Sequence, residues 1–172
     1  LLEGKLNISF RGYGAGGIST PSFRGTPASH TRVTWNGINI SNPMLGQTDF
    51  SIIPSGLADD IRIYPGAASI QSGAGGFGGS LDIITLPQSK YINSFIISSG
   101  AGNYGRYSGM ATAEFGKKEL HSVSKIIFHS AENDFKYMNN INPAESTRER
   151  RKNGQVDQKV LLQEFYYRKN NH

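Results

Sequence analysis

Cysteine is absent from this chain. Its absence removes disulfide frameworks, thiolate zinc sites and thiol catalysis, and leaves the redox compartment open. Long apolar runs are missing too: no stretch approaches the ~20 residues that a membrane-spanning helix requires. That says nothing against spanning strands, which need only ~9–11 alternating residues. The four histidines, His30, His121, His129 and His172, show no metal-ligand spacing such as H-E-x-x-H. Ser122-Val123-Ser124-Lys125 matches S-x-x-K, yet neither S-D-N nor K-T-G follows it. Asp59 and Asp60 are adjacent and point apart on an extended chain, unlike a working acid–base pair. The residues therefore call for no enzyme, metal or cofactor.

Glycine and charge asymmetry are what the chain has. Its 21 glycines among 172 residues favour turns and close backbone approach over long helices. Residues 1–89 hold five basic and five acidic side chains, so the remainder carries the whole net charge of +5. Composition divides the chain near Leu86-Pro87-Gln88, giving two expected domains, 1–88 and 89–172. An isoelectric point near 9.5 raises nucleic acid as a partner. The glycine-rich half is neutral, however, and the basic side chains are scattered along strands without an aromatic stacking platform, so none is expected.

The first segment reads as short strands between turn clusters. Residues 6–10 alternate apolar and polar side chains before a glycine turn at 12–17. Residues 22–24 are extended. Residues 31–35 place Thr31, Val33 and Trp35 on one face and Arg32 and Thr34 on the other, the pattern of a half-buried strand. Asn36-Gly37 is a turn signal, because both residues tolerate positive φ. Residues 61–64 and 81–85 are further strands, and 54–58 and 67–71 are candidate helical turns. Two stretches, Gly12 to Gly17 and Gly73 to Gly78, match G-x-G-x-x-G. A dinucleotide site needs a helix opening on the last glycine, and neither match has one.

The order of these pieces is more specific than any one of them. Arg24-Gly25 is followed by an apolar strand ending in Asn36-Gly37. Then come the turn Asp49-Phe50-Ser51, the step Ile53-Pro54, and an ending that runs from Gly73 through Gly78-Gly79 to Asp82-Ile83-Ile84-Thr85. This resembles the plug domain of TonB-dependent outer-membrane receptors, over about the later two-thirds of such a plug. Asn36 stands where that family usually has an acid, Arg62 where glutamate is common, and Pro65-Gly66-Ala67 in place of R-G-P. The resemblance implies an α+β plug with a small mixed sheet. It also implies that paired loops at one end of the plug face outward and touch cargo. Counting strand direction places loop 39–48 beside loop 13–20, with 26–29 at the far end. Tyr13, Asn42, Met44 and Gln47 are the expected ligand contacts.

From residue 91 the texture changes to long alternating strands. In 106–115, Tyr107, Gly109, Ala111, Ala113 and Phe115 share one face, and Arg106, Ser108, Met110, Thr112 and Glu114 the other. Tyr107 and Phe115 lie ~26 Å apart along a strand rising ~3.3 Å per residue. Tilted by ~35–45°, that is about 20 Å of height, near the apolar band between aromatic girdles. Residues 91–99 and 119–130 read as companions, with Ser124, Ile126 and Phe128 facing lipid; 158–168 is a fourth strand with mixed faces. The short turn 116–119 and the long connection 131–157 fit periplasmic and external ends respectively. The connection carries a basic run, Arg148, Arg150, Arg151 and Lys152, which suits an anionic chelate, lipopolysaccharide phosphates or plain solvent.

The expectation is thus a plug followed by the first three or four antiparallel strands of a transmembrane β-barrel. It would serve gated uptake of cobalamin or an iron-siderophore across the outer membrane of a Gram-negative bacterium. The resemblance implies a TonB-type periplasmic partner acting through an N-terminal extension, and contact with outer-membrane lipid. Because four strands leave edges that lipid cannot satisfy, the chain is expected to be truncated at both ends. The rival classes are a secreted β-rich adhesin or carbohydrate-binding module, and a small soluble enzyme.

Overall fold

A computed structural model describes residues 8–13, 17–66, 76–85, 93–117, 119–141 and 147–167. The chain divides into two compact units, Leu1–Leu86 and Pro87–His172.

The first unit is built around β3 (Thr31–Trp35), which runs parallel to β6 (Gly79–Ile84). β4 (Ile38–Asn39) and β5 (Asp60–Pro65) add antiparallel strands at the two edges, giving the order β4-β3-β6-β5. The expected small mixed sheet is therefore present. Register puts Val33 beside Leu81 and Trp35 beside Ile83, with Ile63 and Ile61 in the same rows. That face packs on the antiparallel pair β1 (Ile8–Gly12) and β2 (Ser19–Phe23), so Ile8, Phe23, Val33, Leu81 and Ile83 form the core. The opposite face carries Thr34, Asp82 and Arg62. β3 is more deeply covered than its alternation implies: Thr34 is buried as well as Val33, because it bonds to Asp82 across the sheet.

The α component is not seen among the described residues. Helical structure there consists of three single-turn 3-10 segments, Ala28–His30, Phe50–Ile52 and Ser55–Leu57. The turn expected at 54–58 is the third of these, and the one expected at 67–71 lies outside the described residues. Gly17 leads into β2 and Gly78 into β6, so each glycine-rich match opens on a strand.

The second unit is an antiparallel meander. It consists of β7 (Ser94–Gly102), β8 (Arg106–Lys117), β9 (Leu120–Ala131) and β12 (Val156–Tyr167), in the order β12-β9-β8-β7. At one end β8 and β9 stay paired as far as Lys117 opposite Leu120. At the other end, the connection from β9 to β12 folds into its own hairpin, β10 (Lys136–Asn139) and β11 (Thr147–Arg150). Alternation alone did not separate this hairpin from a long loop. The four-stranded sheet is open, with β7 and β12 as its edges.

Candidate functional site

In the first unit, two distant motifs lock to one another. Asn36 (φ 48°) and Gly37 (φ 82°) form the β3–β4 turn, in the left-handed region that this residue pair tolerates. Asn36 Nδ2 donates to Thr85 Oγ1 at 2.7 Å, and the Thr85 N–H donates to Asn36 Oδ1 at 2.9 Å. Asp82 Oδ1 accepts the Thr34 hydroxyl at 2.6 Å and the Gly37 N–H at 3.2 Å. The amide at Asn36 thus makes a reciprocal pair with Thr85, while Asp82 supplies the charge that pins the turn.

Arg24 (φ 47°) and Gly25 (φ 78°) form a second tight turn, closed by the Thr26 N–H donating to the Phe23 carbonyl at 2.9 Å. Gly78 and Gly79 lie against this turn. A Cβ on Gly78 would stand 2.5 Å from Thr26 Oγ1, and one on Gly79 2.8 Å from the buried Phe23 ring. Both distances are below any tolerable contact, so the double glycine sets how closely β6 approaches β2.

Of the expected ligand contacts, Asn42, Met44 and Gln47 share one compact loop. Asn42 Oδ1 accepts the Met44 and Leu45 N–H groups at 2.9 and 3.1 Å. The Asn42 N–H donates to the Gln47 carbonyl and its own carbonyl accepts from Gly46. Asn42 is therefore the loop's keystone, and its side-chain carbonyl is already engaged. Met44 stands 93% exposed at the tip, and Gln47 is half-buried. Tyr13, 76% exposed, sits where β1 turns toward β2, with its N–H on the Ile18 carbonyl.

Asp49 ties the two regions together. Its Oδ1 accepts the Ser19 N–H and the Ser51 N–H, each at 2.9 Å. Burial works to raise this carboxyl, but the Ser19 N–H and the Ser51 hydroxyl and N–H outweigh it and hold it below its ordinary value.

Strand counting needs one correction. The Asn36-Gly37 turn reverses the chain, so the loop runs back along β3 toward its start, and a Cβ on Gly46 would sit 3.6 Å from Ser29 Cβ. Ser29 is therefore beside the loop rather than at the far end. Ser29, Thr31, Arg32, Asn39, Ser41 and Asn42 line a polar cleft of about 210 Å³ there. Thr31 Oγ1 is buried at this place with no protein hydrogen-bond partner among the described residues. Counting missed Ser29 because it treated the turn as continuing forward.

In the second unit, register aligns one face across four strands. One row is Ile97, Ala111, Ile126 and Leu161, with Phe95, Tyr107, Phe115, Phe128, Phe165 and Tyr167 in neighbouring rows. All of these except Ala111 are exposed, Leu161 by 69% and Phe165 by 71%. β12, whose faces looked mixed, joins the same pattern. Its polar Gln163 is internally satisfied, donating to Ser122 Oγ at 3.0 Å and accepting from the Ser124 hydroxyl. Lys159 and Asp157 form a 3.8 Å ion pair at the hairpin end of the strand. The opposite face buries His121, Val123, Lys125 and Ile127. Tyr107 and Phe115 therefore lie outward on an open sheet and are not part of a core.

The family model "TonB-dependent Receptor Plug Domain" matches residues 1–80. A protein of Vibrio vulnificus, "Vitamin B12 transporter BtuB", is 25% identical over 131 residues, 76% of this chain and 21% of the relative. The protein of the same name in Photobacterium profundum is 29% identical over 119 residues, 65% of this chain and 20% of the relative. Among solved structures, "Copper transporter OprC" superposes with a TM-score of 0.63 at 16% identity, covering 84% of this chain and 22% of that one. This likeness concerns the fold alone. The chain spans about a fifth of the length of each of these proteins.

Proposed function

Because the chain belongs to the TonB-dependent receptor family, we propose that it carries the plug and the first wall strands of a gated outer-membrane transporter. Residues 1–88 act as the plug, and residues 89–172 begin the barrel. The observation that carries this reading is a glycine-locked plug fold joined in sequence to a sheet with one broad, exposed apolar face. Such a face is costly in water and suits hydrocarbon, and Gln163, a polar side chain amid the apolar rows, is already hydrogen-bonded.

The cargo class is a scarce chelate, cobalamin or an iron-siderophore; the names of the curated relatives favour cobalamin. Tyr13, Met44 and Gln47 contact it from the plug loops, while Asn42 holds the second loop in shape. Ser29 and the buried Thr31 hydroxyl offer further polar contacts in the cleft. A TonB-type protein in the periplasm supplies the energy that displaces the plug. The membrane is the outer membrane of a Gram-negative cell.

Equilibrium binding of cobalamin and of a ferric siderophore to the full-length receptor in detergent tests this. One of the two should bind, and Tyr13→Ala and Gln47→Ala should each weaken it. Binding of neither ligand would overturn the cargo assignment. Unchanged affinity in both variants would remove these loops from the site.

A further inference from the structure

The β10–β11 hairpin has two unlike faces. On one, Glu149 gathers three neighbours: the Tyr137 hydroxyl and Asn139 Nδ2 donate to its carboxylate at 3.0 Å each, and the Thr147 hydroxyl at 3.3 Å. The Asn139 and Tyr137 bonds hold the Glu149 carboxyl below its ordinary value, with Lys152 adding to the effect. This face is closed on itself.

The other face is left basic and apolar. Register sets Lys136 opposite Arg150 and Met138 opposite Arg148, so all four side chains share it. Arg150 pairs with Asp134 and stays more than half exposed. Lys136 and Arg148 have no acidic partner among the described residues. Met138 is 54% exposed, and Ile141, just beyond the strand, is 91% exposed. Arg151 lies 5.4 Å over the Phe135 ring at the hairpin's base, and Lys152 follows it, so positive charge continues from the face to the base.

We propose that this face docks on an anionic lipid surface, with Lys136, Arg148 and Arg150 meeting phosphate groups and Met138 entering the acyl boundary. Two observations select this occupant over solvent or a soluble anion. Apart from Asp134, which pairs with Arg150, the charge is basic, and it is spread along a strand pair instead of converging on a point. Met138, among the cations, is apolar and exposed, a combination that phosphate-bearing lipid satisfies and water does not. The hairpin also lies at the end of the sheet opposite the Lys117–Leu120 strand pair, beyond the Lys159–Asp157 pair where the outward apolar rows stop. It is therefore placed beside a bilayer surface. The inference rests on the outward face of the sheet being a membrane face.

The test uses the full-length receptor in neutral detergent, with fluorescent bis-phosphorylated lipid A and its dephosphorylated form as probes. Wild type should bind the phosphorylated form more tightly, with an affinity that falls as salt rises. Lys136→Ala/Arg148→Ala should lose roughly thirtyfold, two basic side chains acting near a charged surface. Met138→Ser should weaken both lipids while preserving the preference between them. Equal affinity for the two lipids, or wild-type binding by the double variant, would overturn the proposal. Inorganic phosphate competing at low millimolar concentration would point to a site for free anions and also overturn it. Cobalamin and ferric siderophore binding, measured on the same proteins, keeps failure of the cargo reading distinct: the double variant should leave it unchanged. A loss of cargo binding with lipid binding intact would assign the face to cargo instead.

Discussion

Three residues decide how the first unit closes: Phe23, Gly78 and Gly79. Phe23 is buried to 2% exposure, and β6 enters the sheet directly against its ring. Gly79→Ala would drive a methyl group into that ring, whose own position is fixed by the core. The expected loss is roughly 1–3 kcal/mol, the usual cost of overpacking a filled interior, read as a lower midpoint in urea unfolding. An unchanged midpoint would mean that the ring has room to move, and the double glycine would then be incidental. The Asn36–Thr85 and Asp82–Gly37 bonds act at the same scale, tying a turn to the end of a strand far along the chain. The turn was legible in the sequence, since Asn-Gly favours positive φ at both positions. Its partners were not, because a reciprocal side-chain pair leaves no periodic trace.

Strand alternation carries more information at the level of elements, and its limits are physical. β8 was readable because, over 106–115, small and aromatic residues alternate with residues that are polar at every position but Met110. β12 was not, because Lys159 and Gln163 stand on the same face as Leu161, Phe165 and Tyr167. Their ion pair and hydrogen bonds make that face tolerable, and only register reveals those partners. The β10–β11 hairpin was missed for a related reason: four-residue strands are too short for a period of two to stand out. Leu161→Arg tests the assignment of the outward face. In outer-membrane insertion the substitution should cost about 2–4 kcal/mol if the residue sits near the bilayer midplane. The same change at an exposed site of a water-soluble sheet would be nearly neutral. A folded yield equal to wild type in both lipid and detergent would argue against the membrane face.

Taken whole, the chain joins a small mixed sheet to an open antiparallel meander, and each part has one feature that it does not resolve by itself. The first unit has a polar cleft with a buried threonine hydroxyl, Thr31 Oγ1, that finds no partner among the described residues and stands beside exposed loop residues. The second has β7 and β12 as the edges of its four-stranded sheet, and a broad apolar face. Under the proposed function, cargo would answer the first and a lipid-facing barrel wall the second. The family resemblance was visible from the order of weak motifs, whereas the placement of the cargo loops was not. One tight turn reversed the chain, and strand parity is lost whenever such a turn is overlooked.

This chain has no cysteine, so single labels can be placed in it once any cysteine elsewhere in the full-length receptor has been replaced. Ile126→Cys, Ile127→Cys, Leu161→Cys and Leu162→Cys, each spin-labelled in the full-length receptor in lipid bilayers, sample both faces of two paired strands. Labels at 126 and 161 should collide freely with dissolved oxygen and rarely with a water-soluble nickel chelate, and those at 127 and 162 should be shielded from oxygen. Nickel access at 126 and 161, or four labels with no alternation, would contradict a hydrocarbon-facing wall.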